Sequence, residues 1–276
     1  MTKLPFLVVP LMFAALAGAE AAAPAPMPLL AHRAVYDLKL DSASGDSGPE
    51  SARGRIVYDF SGSACEGYVS NFRQINEVTP HDASANLSDV STQTFEGGNG
   101  KTYQFRVQSM MNEKAREKID GSAEVTGDGS IKVKLRQPKP EDIDLGKDVL
   151  FPTAHISRII DAAKAGQKTL SARVYDGSEP GRKMFDTLTV IGPVKMSKPS
   201  EEVARIPQLE SVRRWPVTIS YFASGPGHDT PDYTLAFDLY ENGVSRKLKL
   251  DYGTFVLDGT LVKLTLLPKS APCNQP

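Results

Sequence analysis

Four histidines, a Gly-Asp-Ser-Gly tetrapeptide, a run of aspartates and two cysteines are the residues of this chain from which chemistry could be built. The tetrapeptide, Gly45-Asp46-Ser47-Gly48, has the form that carries the nucleophile of Ser-His-Asp hydrolases. A working triad also needs a base and an orienting acid held by a scaffold, and here only His32 precedes Ser47, with a single strand-like segment between them. The serine is therefore read as part of a polar loop. Asp142, Asp144 and Asp148 around Gly146 echo a calcium loop, but the terminal glutamate and the spacing are missing. His32, His81, His155 and His228 are scattered, so spacing gives no metal site. Elbow, zincin, phosphate-loop and dinucleotide signatures are absent. The sequence thus assigns no catalytic residue, no metal ligand and no cofactor.

His155 is the histidine with the most informative neighbours. It follows Phe151-Pro152-Thr153 in the first turn of a helix expected over Phe151–Gly166, with Arg158 and Asp161 further along. Pro152 suits the first turn, Ile156, Ile159, Ile160 and Ala163 share a face, and Gly166 suits the C-terminal cap. His155 is read first as a ring that packs and hydrogen-bonds at a helix–sheet junction, and second as a group that could order a loop or contact a ligand. Tyr175-Asp176-Gly177 is likewise a strand end with an Asp-Gly turn before it is a recognition loop. Phe151, Pro152, Thr153, His155, Tyr175, Asp176 and Gly177 together form the candidate binding or structural motif.

The elements that must position these residues are mostly strands. From Ala34 onward, apolar and polar residues alternate, clearly in Val35–Leu40, Arg55–Phe60, Tyr103–Met110, Thr169–Tyr175, Val217–Phe222, Tyr233–Tyr240, Val244–Asp251 and Phe255–Leu267. Asn99-Gly100, Asp128-Gly129, Asn242-Gly243 and Asp258-Gly259 are read as tight turns. The segments suggest about 12 to 14 strands, more than a simple open sheet holds without curling. The expectation is a mainly β, single-domain, barrel-like or spiral sheet, with the one amphipathic helix plugging or capping it. Ser42–Ser51, Ser224–Pro231 and Pro138–Lys147 read as irregular connections. Lys132, Lys134 and Arg136 alternate with Ile131, Val133 and Leu135, the pattern of a strand's solvated face.

The N-terminus reads as a secretory signal peptide: Lys3, the apolar run Leu4–Leu16, then Ala17-Gly18-Ala19. The run is short of the roughly 20 residues that span a bilayer. Cleavage is expected after Ala19, with Ala22 as the alternative, leaving an extension over 20–33 and one domain over 34–276. Net charge is −1 with basic and acidic residues intermixed, which makes nucleic acid and anionic membrane poor partners. In an exported chain, an even cysteine count argues for a disulfide between Cys65 and Cys273. Closing so long a loop has an upper limit of about 5 kcal/mol. The other reading, a redox or metal-binding pair, lacks a Cys-x-x-Cys spacing and an adjacent histidine.

Ala31-His32-Arg33-Ala34-Val35-Tyr36-Asp37-Leu38, Cys65-Glu66-Gly67-Tyr68, Phe151-Pro152-Thr153-Ala154-His155, Val174-Tyr175-Asp176-Gly177 and the terminal Cys273 together resemble the EipB family of periplasmic cell-envelope integrity proteins, over nearly the whole mature chain. The resemblance implies a Gram-negative periplasmic location, a spiral-like broken β-barrel and a disulfide tying the C-terminus to an early strand. It also implies a role in maintaining the envelope under stress, with tetratricopeptide-repeat proteins of the periplasm as partners. Three functional classes remain: a non-enzymatic binding or scaffold protein, a carrier of a lipid or peptide in the curved sheet, and a hydrolase using His155 and nearby carboxylates. The first fits best because no catalytic constellation is legible.

Overall fold

The computed structural model describes residues 27–45, 48–178, 180–225, 227 and 229–270. The expected signal peptide, Asp46, Ser47, His228 and Cys273 lie outside the described residues. Alternation becomes strand structure in the expected way. In β5 (Thr102–Met111), Tyr103, Phe105 and Val107 are buried while Gln104, Arg106 and Gln108 face solvent. β7 (Ser130–Gln137) repeats the pattern, with Lys132, Lys134 and Arg136 outside as read from sequence.

The strands form one sheet of 15, ordered β8-β7-β6-β5-β4-β3-β2-β1-β15-β14-β13-β12-β11-β10-β9. β1 (His32–Ala43) and β15 (Phe255–Leu266) pair antiparallel at its centre. One meander runs outward through β2 (Ser51–Ser63), β3 (Gly67–Thr79), β4 (Asn86–Glu96), β5, β6 (Lys114–Val125) and β7 to β8 (Glu141–Lys147). The other runs back through β14 (Ser245–Asp251), β13 (Tyr233–Tyr240), β12 (Arg214–Ala223), β11 (Phe185–Ile191) and β10 (Thr169–Val174) to the two-residue β9 (Val149–Leu150). The two edges are consecutive in sequence, with only Asp148 between them, at φ 59°. The backbone itself crosses the seam, yet β8 and β9 form no ladder with each other. The result is a nearly closed, barrel-like sheet: alternation predicts a curled, barrel-like or spiral closure, and the family resemblance implies the spiral-like broken barrel. Side chains clasp the seam: an Arg173 guanidinium donates to the Lys147 carbonyl, and Arg182 pairs with Glu141.

Three expectations are corrected. Pro138–Lys147 is not wholly irregular, because Ile143 and Leu145 pack on the β5–β7 core while Asp142 and Asp144 face out. Asp258-Gly259 is not a turn but lies inside β15; a Cβ on Gly259 would sit 2.8 Å from the Leu248 Cβ, so the glycine serves close packing. The hairpin turn is at Gly253, φ 81°, whose N–H donates to Asp251 Oδ1 at 2.8 Å. Among the described residues the strand count is 15 rather than about 12 to 14, since β8 and the two-residue β9 carry little alternation.

Helix α1 (Pro152–Lys164) buries His155, Ile159, Ile160, Ala162 and Ala163. Ile159 and Ile160 pack with Ile191, Trp215, Val217, Ile219, Phe237 and Leu239 from β11–β13. Its end is closed by Gly166, φ 75°, with Gly166 N–H to Ala163 O at 3.1 Å and Gln167 N–H to Ala162 O at 2.9 Å. Ala236 and Asp238 alternate with these core residues onto the face opposite α1. There Arg246, 2 % exposed, donates to Asp238 at 2.8 Å and to Glu201, tying the 192–213 connection to the sheet. Among the described residues no helix is long and apolar enough to cross a membrane.

Candidate functional site

The start of α1 has a chemical need that its own sequence does not meet. Phe151 occupies the N-cap position without a side chain that can accept a hydrogen bond, and the first turn carries no acidic residue. The first backbone N–H groups of a helix need acceptors, and its N-terminus favours negative charge. Glu96, at the end of β4, supplies both from elsewhere in the chain. Its Oε2 accepts from the Thr153 N–H at 2.7 Å and its Oε1 from the Ala154 N–H at 2.8 Å. Glu96 is only 3 % exposed. Burial pushes its carboxyl above the usual glutamate range, against the downward pull of the two N–H donors.

The candidate motif residues gather around this contact. Phe151 stacks on Tyr103 with ring centroids 4.9 Å apart, and Tyr175 meets Phe105 edge-on at 5.6 Å. The Tyr103 hydroxyl donates to the Asp176 carbonyl at 3.0 Å, and the Tyr175 hydroxyl to the Gly181 carbonyl at 2.8 Å. Asp176 also folds its own turn, its Oδ1 accepting from the Ser178 N–H at 2.9 Å. Gly177, φ 78°, lies against the Phe105 ring so closely that a Cβ would come within 2.3 Å of it. Pro152 takes the first helical position, as expected.

His155 is 2 % exposed, and its Nε2 lies 3.4 Å from Thr187 Oγ1, which donates to the Ala172 carbonyl at 2.9 Å. Burial, aided by the charge of Arg158, lowers its imidazole to about 4. The ring is neutral at pH 7. Arg158 and Asp161 sit on the exposed side of α1 and do not converge with it. Cys65 lies in the exposed turn joining β2 and β3. That turn packs against the Gly97–Gly100 turn, where a Cβ on Gly98 would meet the Ala64 carbonyl, and Gly100 faces Ala154. Cys65, Glu96 and the start of α1 thus share one rim of the barrel.

The structure therefore brings Phe151, Thr153, His155, Tyr175, Asp176 and Gly177 into one junction of α1, β4, β5 and the β10–β11 loop. Glu96, Tyr103, Phe105 and Thr187 complete it and escaped the sequence reading. The only hint of Glu96 was indirect: a helix starting Phe-Pro-Thr lacks its own N-cap and so requires an acceptor from another element. Chemically, the junction holds an ionisable carboxyl on backbone donors and a neutral imidazole on a hydroxyl. Each is engaged with the fold itself.

The EipB-like family model matches residues 23–268. The chain is 39% identical over 256 residues to the cell envelope integrity protein EipB of Brucella abortus, covering 92% of this chain and 90% of that protein. A crystallised β-barrel-like protein of the domain of unknown function DUF1849, also from Brucella abortus, superimposes with a TM-score of 0.81 at 37% identity, over 88% of this chain and 100% of that one. With a family model spanning nearly its whole length and a relative this similar, the chain belongs to the EipB-like family.

Proposed function

We propose that this protein supports the integrity of the cell envelope from the periplasm without catalysing a reaction, by binding a protein partner or an envelope component. On this reading the N-terminal segment is removed on export, and Cys65 and Cys273 form a disulfide that fastens the C-terminus to the rim beside Glu96. The name of the Brucella abortus relative supports the envelope role. The observation that carries the binding mode is the open seam. Among the described residues β8 ladders only with β7, so its other edge presents backbone donors and acceptors to which an extended segment of a partner can add as a strand. Glu141, Asp142 and Asp144 on β8 guard that edge against indiscriminate pairing, as charges on edge strands do. A tetratricopeptide-repeat protein of the periplasm is the partner class to test first.

The junction residues support a non-catalytic reading because Glu96 and His155 are spent on holding α1. A carrier is the weaker reading, since the isoleucine face of α1 fills the concave side of β11–β13. A cleft of about 730 Å³ on the opposite face mixes apolar groups such as Pro216, Ala236 and Leu248 with the charged Glu201, Asp238 and Lys249, so it is not the uninterrupted apolar wall that suits a lipid tail. The test is affinity capture of the mature, oxidised protein from periplasmic extract, with proteins and lipids in the eluate both identified by mass spectrometry. A specific protein or envelope component is expected. A stoichiometric lipid with no protein would replace this reading with the carrier, and recovery of neither would overturn it.

A further inference from the structure

On the outer face of β5–β7, the side of the sheet away from Tyr103 and Phe105, three basic side chains and two amides converge on a cleft of about 430 Å³ lined by Arg106, Gln108, Lys118, Asp120, Arg136 and Gln137. Strand register explains why they meet. Arg106 pairs across the ladder with Asp120, Asp120 with Gln137, and Gln108 with Lys118. A bulge intervenes between Asp120 and Gly121, leaving Arg136 as the extra residue of β7, so the consecutive side chains Arg136 and Gln137 both reach the same cleft. Re-aiming a side chain is what a bulge does.

Asp120 organises the cleft. Its Oδ2 accepts from Arg106 Nε at 3.1 Å and Nη2 at 3.0 Å, and its Oδ1 accepts from Arg136 Nε at 2.5 Å. Both carboxylate oxygens are thereby occupied at the buried base. The two guanidiniums, whose side chains are 55% and 59% exposed, keep donors toward solvent. Burial raises the Asp120 carboxyl, but the two arginines more than offset this and hold it below its ordinary value. Lys118 is exposed and has no carboxylate partner among the described residues. Three cations against one carboxylate leave the cleft positively charged. The Gln137 Oε1 atom is buried without a hydrogen-bond partner; as an acceptor it adds nothing to anion binding, so the positive charge of the cleft rests on Arg106, Lys118 and Arg136.

We propose that this cleft binds a phosphoryl group. Donors reach it from two guanidiniums on different strands and an ammonium on a third position of the ladder, and so approach from several directions. That arrangement suits a tetrahedral oxyanion better than a planar carboxylate, which one guanidinium satisfies edge-on. The group could arrive as free phosphate or as the headgroup of a phospholipid.

The test uses the mature protein and two probes: inorganic phosphate, followed by NMR shifts of the β5–β7 amides, and vesicles of phosphatidylglycerol and phosphatidylcholine at 3:7, followed by co-sedimentation. Lys118→Glu removes an exposed cation with no structural partner, Arg136→Glu removes a guanidinium, and Arg55→Glu on β2 is the control. Saturable binding of either probe that weakens at least about tenfold in Lys118→Glu and Arg136→Glu, but not in Arg55→Glu, is expected. Shifts with phosphate identify the free anion as sufficient; vesicle binding alone identifies the lipid headgroup. Absence of binding to both probes, or equal loss in the Arg55→Glu control, would overturn the proposal. Because Lys118→Glu leaves the Asp120 contacts in place, a folding defect in Arg136→Glu alone does not blunt the test.

Discussion

Glu96 does for α1 what a helix normally does for itself, and its removal should be felt as two orphaned N–H groups. Glu96→Ala is expected to lower unfolding free energy by about 1–3 kcal/mol. Glu96→Gln should cost less, because an amide oxygen still accepts and the buried charge is gone. Urea titration at neutral pH checks both; equal stability of Glu96→Ala and wild type would contradict the capping role. His155 gives a pH signature. Its folded imidazole titrates near 4 against an ordinary 6.5, so the unfolded chain takes up the proton first. The stabilisation from a neutral buried ring is therefore present above pH 6.5 and lost as pH falls toward 4, by up to about 3 kcal/mol. His155→Gln should show a shallower loss between pH 7 and 4.5. Some slope will remain, since burial also lowers His32; superimposable profiles would contradict the assignment. At this scale the sequence was informative where a residue serves its own segment. Pro152, Gly166 and the Asp176-Gly177 turn were legible because their partners lie within a few positions. Glu96, Tyr103 and Thr187 were not, because their partners lie 57, 73 and 32 positions away, through a register that no local pattern encodes.

At the scale of elements, α1 and β8 stand at opposite ends of local stability. α1 is held by Ile159 and Ile160 in a packed core, so Ile159→Ala should cost about 2–5 kcal/mol through the cavity it leaves. β8 is paired on one side only and clasped across the seam by Arg173 and Arg182. Native-state hydrogen exchange should therefore find the amides of 141–147 opening well below the global free energy, while those of β1 and β15 at the sheet centre open only with it. Uniform protection across the sheet would contradict an open seam. These two elements also mark what pattern reading can see. The 3.6-residue period of α1 survives because one face is apolar throughout. In β8 the acidic residues and Gly146 outweigh Ile143 and Leu145, and an edge strand needs just that composition. Gly259 was mistaken for a turn because an Asp-Gly pair looks the same whether glycine is needed for its φ or for the close approach of Leu248 and Leu38.

For the whole molecule, the broken barrel is a consequence of two meanders that start from one β1–β15 pair and end on strands with only Asp148 between them. Alternation and turn dipeptides made a curled all-β domain legible, but not that its edges would be consecutive strands, since strand order depends on contacts between the chain's halves. On the function proposed above, the protein acts by binding at the seam while its ionisable junction holds the fold. Site-specific photo-cross-linking in living cells tests it most directly, with the reactive side chain placed at Asp142 or Asp144 on β8 and, as controls, at Arg55 on β2 and Arg158 on α1. A discrete protein or envelope adduct is expected from the β8 positions and none from the controls. Envelope function retained by the labelled proteins without any β8-specific adduct would contradict it.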